Sequence, residues 1–337
     1  MTRRVLLSGS AGFVGSHVLR HFLENTDWEF ALPVTFRHKG TPQRIVSALD
    51  GHPEWWSRAD VIHCDLTSPI DSITAHLFGD VDAVLNIASE SHVDRSIEAP
   101  GPFVRNNIDI MISLLEYARQ AKPSVFLHMG SDEEYGAAYG NYKHREWDTI
   151  IPSNPYSASK AAQSALATAW WRTYQVPVVL TRTMNLIAPG QDGEKFVPTV
   201  IRKILNEDTV QIHSSPEGVP GSRHWIDARE FAGAWLHILK NADVQMHPEH
   251  DRPTMYHVVG EERSNLDIAH TISDALGQQL RYELVSFHSS RPGHDLRYAL
   301  DGKKLAELGW KPSRSLDESI QDIVKWYVDN PMWMEGS

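Results

Sequence analysis

Tyr156 and Lys160 stand four residues apart in "NPYSASK", on the opening turns of a helical pattern, so their side chains share one face. A phenol with an ordinary pKa of about 10 is a poor base near neutrality, but a neighbouring ammonium stabilises phenolate and lowers that value. The pair is therefore expected to take a proton from a hydroxyl while hydride leaves the same carbon. Upstream, "HMGSDEEYG" places Ser131, Asp132, Glu133 and Glu134 directly after the apolar run "SVFLH". Alone, such acids read as a solvated turn where a strand leaves the core. Beside a proton-transfer pair, they are candidates for acid and base work.

A third feature is "GSAGFVG", in which Gly9, Gly12 and Gly15 follow the first strand and open a helix. Glycines there let the backbone approach a pyrophosphate, whose charge rests on the free N–H groups and positive end of the helix. A dinucleotide cofactor is expected, NAD or NADP. An acid ending the second strand would mark NAD, yet "ALPVTFRHKG" has Val34 near that place, followed by Arg37, His38 and Lys39. Those basic groups either receive a 2′-phosphate or form a solvated loop. Asp65, in "HCDL", is placed to meet the adenine amino group.

Strand-like and helix-like segments alternate around these residues. "RRVLLSG", "EFALPVTF", "DVIHCD", "DAVLNIAS", "SVFLHMG" and "VPVVLTR" read as buried strands, and between them "FVGSHVLRHFLENT", "PFVRNNIDIMISLLEYARQ" and "SASKAAQSALATAWWRTY" carry apolar residues at helical spacing. This pattern implies an α/β fold, a Rossmann-type doubly wound parallel sheet, with a smaller C-terminal α/β lobe that binds substrate. The dinucleotide-binding domain is expected over 1–182, with segments near 225–260 returning to it, and the lobe over 183–337. Trp170 and Trp171 read as core or subunit interface.

Composition narrows the function classes. The formal charge of −11 and the absence of a basic run speak against a nucleic-acid partner. No apolar stretch approaches the roughly 20 residues of a membrane span. With one cysteine, Cys64, there is no disulfide framework or thiol zinc cluster, and the histidines show no metal-site spacing, so no metal is expected. A cytoplasmic enzyme with a small-molecule substrate is the expectation.

"AGFVGSHVLRH", "ASESHVDRSI", "SDEEYG", "NPYSASKAA", "GEKFVP", "EERSNLDIAHTI" and "RPGHDLRYALD" resemble, in order, signature segments of the extended short-chain dehydrogenase/reductase family, and within it the nucleotide-sugar 4,6-dehydratases. The resemblance implies an NDP-hexose substrate of the dTDP-glucose kind, oxidation at C4, loss of water across C5 and C6, and hydride return to C6. It implies Glu133 as base at C5, Asp132 as acid at O6, and Ser131 as hydrogen-bond partner of the C4 hydroxyl. The cofactor set it implies is Gly9, Gly12, Phe13, Val14, Gly15, Arg37, Asp65, Leu66, Ala88, Tyr156 and Lys160. The substrate set is Ser91, His92, Asn185, Glu194, Lys195, Arg223, Asn265, Arg291 and His294. A homodimer through the two longest helices is also implied.

Departures from the family pattern fall around the base and sugar pocket: "MNLIAPG" after Asn185, the long loop "VQIHSSPEGVPGSRHW", and His213 within it. Glu134 stands where the family has an apolar residue and reads as a solvent-facing acid. The alternative activity is a nucleotide-sugar 4-epimerase or decarboxylase on the same fold, which would not need both Asp132 and Glu133.

Overall fold

A computed structural model describes residues 3–286 and 295–334. Strands and helices alternate through the first half: β1 (Arg4–Ser8), α1 (Phe13–Asn25), β2 (Glu29–Val34), α2 (Pro42–Leu49), β3 (Ala59–His63), α3 (Ser72–Phe78), β4 (Ala83–Asn86), α4 (Val93–Glu98), α5 (Pro100–Ala121), β5 (Val125–Ser131), α6 (Pro155–Tyr174) and β6 (Val178–Thr183). The second half adds β7 (Asn185–Ile187), α7 (Phe196–Leu205), β8 (Val210–Ser214), β9 (Ser222–Asp227), α8 (Ala228–Asn241), β10 (Thr254–Val258), β11 (Glu261–Ser264), α9 (Asn265–Leu276) and β12 (Tyr282–Ser286).

Seven strands form one parallel sheet in the order β10-β6-β5-β4-β1-β2-β3. Their apolar runs are continuous because helices cover both faces; β6 and β10, for example, are buried at every position. Phe22, Ile45, Phe231 and Trp235 pack on one face, and Met111, Leu114, Ala167 and Trp171 on the other. Trp171 is fully buried, and its indole N–H donates to the Gln245 carbonyl at 2.7 Å, which makes it a core residue. The order reverses between β1 and β4, so the crevice for a ligand opens at the carboxyl ends of those strands.

The remaining strands lie outside this sheet, as β11-β9-β7 and as the pair β12-β8. With α7, α9 and the helix Leu316–Asp329 they enclose a second core around Ile201, Ile268, Ile320 and Tyr327. The chain crosses between the two bodies more than once. Thr183 ends a strand of the large sheet and Asn185 begins one of the small sheet, while α8 packs on α1 and β10 pairs with β6.

Candidate active site

The glycine turn is built for close approach. Gly9 has φ +76°, and a Cβ there would lie 2.9 Å from the Ala88 nitrogen; one on Gly15 would lie 2.0 Å from the Gly9 carbonyl. The N-cap of α1 is Gly12, whose lack of a side-chain cap leaves first-turn N–H groups directed at the crevice, and no acid stands in that turn. These features fit a dinucleotide pyrophosphate. The crevice is lined by Gly9, Gly12, Phe13, Val14, Gly15, Arg37, Asp65, Leu66, Ala88, Tyr156 and Lys160, and its far wall by Ser91, His92, Glu194 and Lys195.

At the β2 end of the crevice each basic group meets an acid. Arg37 Nη2 lies 2.5 Å from Asp65 Oδ1, His38 Nδ1 lies 3.5 Å from Glu90 Oε2, and Lys39 Nζ lies 3.8 Å from Asp192 and 3.5 Å from Glu194. Asp65 also accepts the Thr67 N–H and hydroxyl, at 3.0 and 2.7 Å. Val34 is buried, so no carboxylate stands at the end of β2.

β5 delivers Ser131 to the crevice rim, and a single 3-10 turn, Asp132–Tyr135, follows. Asp132 Oδ1 accepts the Ser131 hydroxyl at 3.2 Å and the Glu133 N–H at 3.0 Å. Burial, then the neighbouring Glu133, pushes the Asp132 carboxyl up to about 7. Burial raises Glu133 as well, opposed by the Asn154 amide, which donates to Glu133 Oε2 at 3.1 Å. Asn154 is also the N-cap of α6, with Pro155 at the first helical position and a reciprocal bond to Ser157. One residue thus fixes both the helix that carries Tyr156 and the carboxylate of Glu133. Sequence reading missed it, although Asn-Pro-x-Ser at a helix start was visible.

Tyr156 and Lys160 rise from the first turns of α6. Burial and then the Glu133 charge push the Tyr156 hydroxyl upward, against a hydrogen bond to Ser131. Lys160 Nζ donates to the Met129 carbonyl at 2.7 Å and to Gln163 Oε1 at 2.8 Å. Burial brings its pKa down to about 8.

One correction concerns Glu134. It does not face solvent: the residue is fully buried and paired with Arg182, with Oε2 2.8 Å from Nη2. Its partner lies 48 positions along the chain, on β6, beyond the reach of any local pattern.

The lobe supplies positive charge to the acids. Arg223, on β9, acts on both Asp132 and Glu133, while its guanidinium donates to the carbonyls of Ser222, Leu296 and Asp295 and stacks on Tyr298. Lys195, the N-cap of α7, acts on Glu133 as well. Glu194 lies between His92 and Arg95, at 3.5 and 3.9 Å. Asn185 opens β7 opposite Trp225, and Asn265 starts α9 with its side-chain oxygen buried and unpartnered. Neither touches the acid turn in the hydrogen bonds described. Arg291 and His294 lie outside the described residues. Among the described residues, no group of three or more His, Cys, Asp or Glu side chains could hold a metal ion, and no helix is long and apolar enough to cross a membrane.

Residues 5–251 match the model of the NAD dependent epimerase/dehydratase family. The chain is 32% identical to a low-salt glycan biosynthesis protein of Haloferax volcanii, covering 96% of this chain and 98% of that one. It is also 32% identical to a dTDP-glucose 4,6-dehydratase of Shigella flexneri, over 99% and 95% of the two chains. Among solved structures, a dTDP-glucose 4,6-dehydratase of Streptomyces venezuelae with NAD and TYD bound superposes with a TM-score of 0.85 at 30% identity, covering 98% of this chain and 99% of that one. With its glycine turn, parallel sheet and Ser-Tyr-Lys group in place, the chain belongs to the NAD dependent epimerase/dehydratase family.

Proposed function

We propose that the protein is an NAD-dependent nucleotide-sugar 4,6-dehydratase, converting a dTDP-glucose-like NDP-hexose to its 4-keto-6-deoxy product. The observation that carries this reading is the pair Asp132 and Glu133 on one turn beside Tyr156, both with raised carboxyl pKa. The dehydratases of Shigella flexneri and Streptomyces venezuelae, similar over almost the whole chain, support it.

Bound NAD supplies a hydride acceptor that can later return the hydride. Tyr156 takes the C4 hydroxyl proton, with Ser131 sharing a hydrogen bond with the phenol. The C4 ketone acidifies the C5 hydrogen, and Glu133, oriented by Asn154, removes that proton. As the C5 electron pair forms the C5–C6 double bond, the C6–O bond breaks, and Asp132 gives its proton so that water departs. A carboxyl with a pKa near 7 suits that donation at neutral pH. Epimerisation would use Tyr156 and the cofactor and leave both acids without work.

Arg37, His38 and Lys39 each stand against an acid at the β2 end of the crevice, which favours an uncharged ribose over a 2′-phosphate, hence NAD over NADP. We place the substrate diphosphate near Arg223 and Lys195, with Asn265, Arg291, Asn185, Ser91, His92, Glu194 and His294 completing the substrate contacts. The enzyme is cytoplasmic and homodimeric in this reading. Its contact is the outer face of the packed α5–α6 pair, where Ile112 and Tyr174 are exposed. Incubation with dTDP-, UDP-, GDP- and CDP-hexoses, without added reductant, is expected to yield a product lighter by one water. An isomer of unchanged mass overturns the proposal in favour of epimerisation.

A further inference from the structure

The mechanism above gives the buried carboxylate of Glu134 no task. Glu134 is the third residue of the acid turn, and both its oxygens are engaged. Oε1 accepts the Ser131 backbone N–H at 2.9 Å, and Oε2 accepts the Ser164 hydroxyl and Arg182 Nε, each at 2.9 Å. Arg182, 2% exposed, extends Nη1 to the Glu146 carbonyl at 3.1 Å and stacks over the Tyr135 ring at 4.2 Å. Space for the carboxylate comes from Gly130, where a Cβ would sit 2.4 Å from Glu134 Oε1.

A pair this deeply buried is weak evidence for stability, because well-packed apolar residues of similar volume commonly do as well. What an apolar residue cannot do is bind the Ser131 N–H. The reciprocal bonds between Ser131 and the turn close a capping box, which fixes where β5 ends and where Asp132 and Glu133 begin. We propose that Glu134, anchored by Arg182, is a positioning residue that holds Ser131, Asp132 and Glu133 in register with Tyr156. The carboxylate also favours the charged form of Lys160 against burial. It thus joins β5, β6 and α6 beside the acid pair. This inference rests on the dehydratase reading for its kinetic arm.

Glu134→Leu alone leaves Arg182 buried and uncompensated and is at risk of not folding, so the test uses the double variant Glu134→Leu/Arg182→Leu together with Arg182→Lys. The double variant is expected to fold and to lose about 10- to 100-fold in kcat with KM within about twofold, because the turn shifts relative to the sugar while the sugar-binding groups remain. Hydrogen exchange of the peptide carrying the Ser131 amide is expected to be at least about tenfold faster. Arg182→Lys loses the guanidinium fork but keeps a cation near Glu134 and leaves the Ser131 N–H bond to Oε1 in place, so both readouts should stay closer to wild type than in the double variant. A folded double variant with wild-type kcat and wild-type exchange overturns the proposal, as does an Arg182→Lys variant as impaired as the double one. If wild-type protein removes water from no sugar nucleotide, the dehydratase reading fails, and the exchange comparison still decides the role of Glu134.

Discussion

Replacing Asp132 by Asn should stabilise the protein while disabling elimination, and the stabilisation should depend on pH. Asn keeps the Oδ1 that accepts the Glu133 N–H and the Ser131 hydroxyl, and it removes the charge that burial and Glu133 oppose. The folded carboxyl titrates near 7 against an ordinary value of 3.8. That difference corresponds to roughly 4 kcal/mol at about 1.4 kcal/mol per unit. Because the folded pKa is the higher one, the wild type suffers no cost below 3.8, where both states are protonated. It loses stability as pH rises to about 7, and the loss is then constant. The advantage of Asn should therefore grow by about 3 kcal/mol between pH 5 and pH 8, several degrees in Tm for a chain of this size. Thermal unfolding of both proteins across that range reads the difference, and turnover of a sugar nucleotide should fall about 100- to 10,000-fold. An advantage independent of pH, or a variant less stable than wild type at pH 8, would mean that Asp132 does not hold its proton through burial and the Glu133 charge.

Asn154→Ala removes the α6 cap and the amide that lowers the Glu133 pKa, so it should cost about 1 kcal/mol of stability. The same variant should move the acidic limb of the kcat profile to higher pH, since Glu133 must be ionised to act as base and now holds its proton longer; an unmoved limb would separate Asn154 from the chemistry. Gly15→Ala drives a methyl to within 2.0 Å of the Gly9 carbonyl. It should cost about 1–3 kcal/mol and weaken NAD binding, measured by calorimetry on cofactor-stripped protein, and undiminished affinity would contradict the close-approach role of that glycine.

Much of the architecture was legible because its signals are local. Glycines follow β1, apolar runs recur at strand length, and Tyr156 and Lys160 share a helix face, so the sheet and its crevice follow from neighbours in sequence. The misreading arose where a partner is distant: Glu134 resembles a solvated turn acid until Arg182 arrives from β6. The triplet Arg37, His38 and Lys39 was ambiguous for the same reason, because Asp192 and Glu194 approach it from the lobe side of the crevice.

If Glu133 and Asp132 remove water after oxidation at C4, the fate of the C4 hydrogen reveals it, and an NDP-glucose carrying deuterium at C4 reports that fate when the product is examined by mass spectrometry and NMR. The expected product has lost one water, has a ketone at C4, and holds deuterium in the new C6 methyl group. Deuterium retained at C4 in a product of unchanged mass would contradict dehydration.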